Sequence, residues 1–141
     1  MFSYYPHTQA FPNYVPEEFE EFMDNTVLEW AALGVLKKWD EVRQPDEPLI
    51  PEVVSPLGVE PSKTRALWDG RFVNEFFTDM PFTMDNATKV AEVAWENAYF
   101  FKLDHKSGYQ HVPIHRQSWK FFGVYWKGVL CFYSTTIWLE K

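Results

Sequence analysis

The stretch that decides the fold is residues 99–114, which read YFFKLDHKSGYQHVPI. Its aromatic start predicts a strand over residues 99–104, and a second strand over residues 110–114 follows a turn that contains serine and glycine. Asp104 stands at the end of the first strand, where a buried carboxylate needs a cation or hydrogen-bond donors. The local pattern therefore predicts either a metal-binding carboxylate or an aspartate that caps the turn. Tyr109 follows five residues later.

Two main helices are predicted from the spacing of apolar residues. The first begins at Pro16, because proline is tolerated in the first turn, and ends at Gly34. Its apolar residues recur at three- and four-residue spacing, which favours a core-facing stripe over a cofactor site. They are Phe19, Phe22, Met23, Val27, Trp30 and Ala31. The second helix is predicted over residues 87–98, with Asn86 or Asp85 as its cap and an apolar face.

Short runs of β-branched and aromatic residues predict further strands over residues 53–57, 65–69, 119–126 and 129–135. A hairpin turn at Trp126, Lys127 and Gly128 joins the last two. An aromatic patch at Phe72, Phe76 and Phe77 follows a turn at Gly70. The predicted fold class is α+β, with a mixed or antiparallel sheet in residues 16–141 and an irregular arm in residues 1–15.

Charge is distributed unevenly along the chain. The net charge of −7 argues against nucleic-acid binding, because phosphate backbones are bound by lysine and arginine. Residues 1–60, however, carry twelve acids and three bases, whereas residues 61–141 carry eight acids and ten bases. The part of the chain that carries the motifs is mildly basic. Its lysines fit a nucleic-acid-binding surface and an ordinary solvated surface equally well.

Several other chemistries are not supported by the sequence. Pro113 excludes a helix that would place His111 and His115 on one face, and no cysteine joins them, so zinc is not predicted. Cys131, the single cysteine, lies among apolar residues and fits a buried inert thiol in an intracellular protein. We find no serine nucleophile pattern, phosphate-binding loop or dinucleotide fingerprint. No apolar run approaches the roughly 18 residues of a membrane span, and the start does not read as a signal peptide.

Two motifs, in this order along the chain, resemble the reverse transcriptases of retrotransposons. Residues 63–74 read KTRALWDGRFVN and resemble the fingers segment K-x-R-x-x-x-D-x-R-x-x-N of that family. Residues 99–114 are similar to its palm segment, in which an apolar strand, a metal-binding Asp, a Gly and an aromatic residue precede a strand. Residues 119–126 match the strand that comes next. The resemblance extends from about residue 20 to about residue 136.

The resemblance implies a role for each matching residue. Asp104 would be the catalytic carboxylate that binds Mg²⁺, and the backbone carbonyl of His105 would be a second metal ligand. Tyr109 would stand where the family places an aromatic side chain that closes the sugar pocket, which excludes ribose and admits deoxyribose. Lys63 and Arg65 would contact the triphosphate; the alternative is an exposed hairpin with solvated bases. The implied partners are an RNA or DNA template-primer and a deoxynucleoside triphosphate.

The chain departs from the family after residue 136. The family continues with Leu-Pro-Phe-Gly and a Tyr-x-Asp-Asp hairpin, whereas this chain reads IWLEK and contains no Asp-Asp pair. Two-metal phosphoryl transfer needs several carboxylates around ions roughly 3.5–4 Å apart. We therefore expect fingers and a truncated palm, inactive alone, which a separate palm half would complete. Without that half, we expect strand 99–104 to keep an unpaired edge and Phe100, Val112, Phe122 and Phe132 to be partly uncovered.

Three interpretations follow from these observations. The first is a fragment of a retroelement RNA-directed DNA polymerase, a nucleotidyltransferase by family. The second is a non-enzymatic relic or domesticated module of a transposable element that binds nucleic acid or protein. The third is an unrelated small α+β domain that matches by chance. Asp69, Arg71 and Asn74 are predicted to be structural, because an Asp and an Arg two residues apart on a strand share a face and can brace the fingers.

Overall fold

The described residues form an α+β fold with one mixed sheet and one separate hairpin. The computed structural model describes residues 8–79, 81–104 and 108–132. The strands are β1 (Gln9–Ala10), β2 (Leu36–Lys38), β3 (Val53–Val54), β4 (Leu57–Glu60), β5 (Arg65–Trp68), β6 (Gly123–Tyr125) and β7 (Val129–Phe132). The α-helices are α1 (Glu20–Ala32), α2 (Trp39–Val42), α3 (Arg71–Asn74) and α4 (Ala87–Val93), with 3-10 turns at Glu17–Phe19, Gly108–His111 and Arg116–Phe121.

The sheet has the order β1-β3-β6-β7-β2, and β4 pairs with β5 outside it. The pairs β1–β3 and β3–β6 are parallel, whereas β6–β7 and β7–β2 are antiparallel. The predicted hairpin turn is confirmed: the backbone N–H of Trp126 donates to the carbonyl of Gly128, and Lys127 adopts a positive φ of 51°. This short turn fixes the antiparallel register of β6 and β7.

Helix α1 confirms the prediction from the apolar stripe. Met23, Val27 and Trp30 are buried. Gly34 has a φ of +74°, which glycine adopts without steric cost, and the next N–H, that of Val35, donates to the carbonyl of Trp30 at 2.8 Å. This closing pattern ends the helix and directs the chain into β2.

In the described part of the chain, no helix combines the length and the apolar character that crossing a membrane requires.

One cluster of buried side chains joins α1, the five-stranded sheet and the β4–β5 hairpin. Aromatic rings connect these parts: Phe132 lies 5.8 Å from Trp30 and 6.1 Å from Trp68, measured between ring centroids. Trp68 in turn stacks on Phe122 at 5.6 Å. The other buried members include Leu36, Trp39, Leu57, Val59, Ile114, Trp119 and Val124.

Part of the predicted N-terminal arm is attached to the sheet. Strand β1 extends the sheet at one edge. The side-chain oxygen of Asn13 accepts from the backbone N–H of Leu57 at 2.8 Å, and its amide donates to the carbonyl of Tyr125 at 2.6 Å. The ring of Tyr14 lies where a Cβ at position 58 would be, 1.9 Å away, so the close approach requires Gly58. Residues 8–15 are therefore positioned by the domain.

A partly buried ion pair connects the segment after α2 with the turn before β6. The guanidinium of Arg116 donates to both carboxylate oxygens of Glu47, at 2.8 and 2.6 Å, and to the carbonyl of Val42 at 2.8 Å. It also lies 4.6 Å from the ring of Trp119. Arg116 lowers the pKa of Glu47, because its guanidinium hydrogen-bonds the charged carboxylate. A planar guanidinium suits this two-oxygen geometry.

Several predicted elements are wrong in this structure. Residues 98–104 form neither helix nor strand, and Gly108–His111 form a 3-10 turn in place of the start of a strand. The second helix ends at Val93, because Ala94 is extended, with a ψ of 137°. Residues 116–121 form a 3-10 turn, and only residues 123–125 of the predicted strand pair with β7. A strand needs a neighbouring strand, and among the described residues none pairs with residues 99–104.

The predicted exposure of four apolar side chains is right for two of them. Phe100 and Val112 are exposed, whereas Phe122 and Phe132 are buried. Phe122 stacks on Trp68, and Phe132 lies between α1 and β5, so the folded part of the chain covers both without further elements.

We predict that Glu47→Gln lowers the free energy of unfolding by about 2 kcal/mol at neutral pH, because charge-assisted hydrogen bonds to Arg116 are lost. The folded pKa of Glu47 is lowered, so its stabilisation is complete above the unfolded glutamate pKa of about 4.3 and is lost as the pH falls through the folded pKa. Urea unfolding at a series of pH values should therefore show the difference between wild type and variant shrinking in acid.

The matched control is Glu41→Gln, which removes an exposed carboxylate that lies 3.6 Å from Lys38. Surface pairs of this kind contribute little, so the control should unfold like the wild type. Equal losses for the two variants, or a Glu47→Gln difference that does not change with pH, would contradict the assignment.

Candidate functional site

The β4–β5 hairpin presents two basic side chains near its tip. Lys63 lies in the four-residue turn, and Arg65 is the first residue of β5, directly opposite Glu60 in the strand register. Both basic side chains are exposed. The ammonium of Lys63 lies 3.9 Å from the carboxylate of Glu60, a distance that permits only a weak, solvent-screened attraction. The two bases that the sequence predicts as substrate-binding are therefore neighbours on one exposed hairpin.

The base of this hairpin is held by Asp69. Its backbone N–H donates to the carbonyl of Pro56 at 2.9 Å, and its carboxylate accepts from the backbone N–H of Arg71 at 3.2 Å and from Arg71 Nε at 2.9 Å. The Arg71 guanidinium lowers the pKa of Asp69. The structural role predicted for Asp69 and Arg71 agrees with these contacts, although Arg71 begins α3 and does not continue the strand. The pair orients the chain as it leaves the hairpin.

The predicted metal ligands lie elsewhere in the chain. Asp104 is exposed and lies in residues 98–104, which form no regular secondary structure. His105 lies outside the described residues. The backbone of Tyr109 is part of the 3-10 turn Gly108–His111. Within residues 8–79, 81–104 and 108–132, no group of three or more His, Cys, Asp or Glu side chains is arranged to hold a metal ion. A single exposed carboxylate does not fit the several oxygen ligands that Mg²⁺ requires.

A cavity that sequence reasoning did not predict lies beside α3 in the described part of the chain. Its volume is about 450 Å³, and five phenylalanines line it: Phe72, Phe76, Phe77, Phe121 and Phe122. We call this cavity the phenylalanine groove. The sequence indicates the patch at Phe72, Phe76 and Phe77, but only the fold brings residues 121–122 beside it. Gln9, Glu52 and Ser118 supply polar atoms to the lining.

Comparison with known proteins finds no matching family model and no matching curated protein. A function for the chain is therefore inferred from its own residues.

We predict that Asp69→Ala lowers the free energy of unfolding by about 1 kcal/mol, because it removes the acceptor for the first backbone N–H of α3 as well as the partner of Arg71. Arg71→Ala should cost less, since its side chain is 81% exposed whereas that of Asp69 is 10% exposed. Thermal unfolding of both variants tests whether Asp69→Ala lowers stability more than Arg71→Ala. A larger loss for Arg71→Ala would show that the backbone contact of Asp69 contributes little.

Proposed function

We propose that the chain is the fingers and first part of the palm of a reverse transcriptase-like polymerase from a retroelement. The observation that carries the proposal is the order of two motifs, residues 63–74 followed by residues 99–114, on one chain. The structure is compatible at the coarser level of an α+β fold, with an antiparallel hairpin that carries the first half of the first motif. In this proposal the partners are a nucleic-acid template-primer and a deoxynucleoside triphosphate.

The hairpin provides the chemistry for contact with phosphate. An arginine guanidinium presents a planar set of donors that matches two phosphate oxygens, whereas a lysine acts as a point charge. Arg65 at the start of β5 and Lys63 in the turn combine these two modes on an exposed surface. We therefore assign triphosphate binding to Arg65, with Lys63 in support. We assign contact with the sugar of the nucleotide to Tyr109, because of its position in the second motif, residues 99–114.

The proposal treats this chain alone as inactive. Asp104 is assigned to Mg²⁺ together with the carbonyl of His105, but one carboxylate and one carbonyl leave the ion mostly hydrated. The remaining ligands would come from nucleotide phosphates and from the part of the palm that carries the later carboxylates.

The alternative is a non-enzymatic module that binds nucleic acid or protein. It is favoured by the large apolar side chains that remain exposed between residues 76 and 103, among them Phe82, Trp95 and Phe101. Exposed aromatic rings stack on unpaired bases or pack on a partner protein. Nucleotide binding that depends on Arg65 distinguishes the polymerase-like reading from this one.

We predict that the chain binds a fluorescent deoxynucleoside triphosphate and that Arg65→Ala weakens this binding about tenfold or more, because a charge-assisted contact contributes roughly 1.5–3 kcal/mol. Arg65→Lys should be intermediate, since it keeps the charge and loses the planar fork. Lys63→Ala should have a smaller effect than Arg65→Ala. Fluorescence anisotropy measures the affinities, and circular dichroism checks that the variants fold.

The control is Lys89→Ala, which removes an exposed lysine of α4 that pairs with Asp85 at 2.7 Å. It should bind the nucleotide as the wild type does. Equal affinity of the wild type and Arg65→Ala, or an equal loss in the Lys89→Ala control, would argue against a hairpin triphosphate site.

We also predict that the isolated chain does not extend a primer on an RNA or DNA template with Mg²⁺ or Mn²⁺. The sequence contains no Asp-Asp pair, and one carboxylate does not hold two ions. A primer-extension assay with wild type and Asp104→Ala tests this. Template-dependent incorporation that disappears in Asp104→Ala would mean that the chain is a working polymerase.

A further inference from the structure

The described part of the N-terminal arm runs beside the chain that connects β3 with β4. Gln9 lies opposite Val53 in the parallel pair of β1 and β3, and Tyr14 lies opposite Gly58 in an isolated parallel bridge. The register is the same at both points, so residues 9–14 follow one path from the five-stranded sheet to the β4–β5 hairpin. We call residues 9–14 the strap.

Two prolines interrupt the backbone hydrogen bonds in the middle of the strap. With the same register, Pro12 falls opposite Pro56, and neither residue has an N–H to donate. The side chain of Asn13 supplies bonds at this point: its Oδ1 accepts from the N–H of Leu57 at 2.8 Å, and its Nδ2 donates to the carbonyl of Tyr125 at 2.6 Å. One side chain therefore connects the first residue of β4 with the last residue of β6.

The strap provides hydrogen bonds between the hairpin and the sheet. Within the described residues, β4 and β5 pair with each other and with no strand of the five-stranded sheet. Strand β5 contacts the sheet side through a ring, because Trp68 stacks on Phe122. Strand β4 is bonded to the strap on both backbone groups of Leu57: its N–H donates to Asn13, and its carbonyl accepts from the N–H of Tyr14 at 3.0 Å. The strap thus holds the strand that leads to the basic tip of the hairpin.

The strap has few buried contacts of its own. None of residues 8–15 is fully buried: Phe11, Asn13 and Val15 are half-buried, and the residues between them are exposed. The ring of Phe11 lies 5.2 Å from that of Phe72 in α3. Segments with so few buried contacts open locally at a free energy well below that of global unfolding. The strap can therefore open while the core remains folded.

We propose that the strap is a releasable clamp for the β4–β5 hairpin. In the closed state, Asn13 fixes the start of β4 against the end of β6. When the strap opens, both backbone bonds of Leu57 are lost and the hairpin loosens, while α1 and the five-stranded sheet stay folded. A segment that precedes α1 thereby sets the position of Lys63 and Arg65.

Hydrogen exchange of the wild-type protein, followed for each amide by NMR at low urea concentrations, tests whether the strap opens locally. We expect the amides of Tyr14 and of β4 to depend less on urea than the amide of Phe132, which donates to the carbonyl of Phe122 in the core. A local opening exposes less surface than global unfolding, and the urea dependence scales with the exposed surface. Equal urea dependence would overturn the proposal, because the strap would then open only with the whole domain.

Substitutions at Asn13 test whether the strap controls the hairpin. We expect Asn13→Ala to speed exchange at Leu57 at least about tenfold and at the other amides of β4 at least about threefold, because both side-chain bonds are lost. Asn13→Asp should be intermediate, because it keeps the acceptor oxygen and loses the donor. Exchange in β4 at the wild-type rate in Asn13→Ala would overturn the proposal.

The matched control is Gln9→Ala, which changes an exposed side chain of the same strap and keeps the backbone bond from residue 9 to the carbonyl of Glu52. It should exchange like the wild type, and an acceleration in β4 equal to that of Asn13→Ala would contradict the role of Asn13. Nucleotide plays no part in these measurements, so they test the clamp whether or not the hairpin binds a triphosphate.

Discussion

Phe132 is the side chain on which the arrangement of the folded part depends. It is fully buried, it contacts Trp30 of α1 and Trp68 of β5, and its backbone N–H donates to the carbonyl of Phe122 at 3.0 Å. A single ring thereby fixes a helix, a sheet strand and a hairpin relative to one another. Since interiors are close-packed, a smaller side chain there would leave a cavity shared by all three elements. The hairpin that presents Lys63 and Arg65 is positioned through this contact.

The sequence predicts local structure well where the signal is itself local. The apolar spacing before Gly34 marks α1 and its end, and the short turn at Lys127 marks the hairpin β6–β7. Strand 99–104 is predicted wrongly because aromatic and β-branched residues indicate only a preference, and pairing decides whether a strand forms. Similarly, the burial of Phe122 depends on Trp68, which comes far earlier in the chain. Local patterns contain no information about such partners.

The candidate site was predictable to different degrees. Placing Lys63 and Arg65 together needs only a short hairpin, which the turn residues before them indicate. The phenylalanine groove could not be predicted, because residues 121–122 are far from Phe77 in the sequence and share the groove lining only through the tertiary fold. The roles of Asp104 and Tyr109 depend on the resemblance to a family, and nothing in their local chemistry specifies a substrate. The local sequence pattern alone fits two roles for Asp104, a metal ligand and a cap of the turn.

The uneven burial of tryptophans gives this protein a built-in optical reporter. Trp30, Trp39, Trp68 and Trp119 are buried in the described structure, whereas Trp95 is exposed. An indole in water emits at longer wavelength than one in a core and is reached by a dissolved quencher such as iodide. Trp126 is partly buried and Trp138 lies outside the described residues, so with these two replaced by phenylalanine the red, quenchable part of the emission reports on the surroundings of residue 95, and the blue part reports on the core. Local and global opening are thus observable separately in one unlabelled sample.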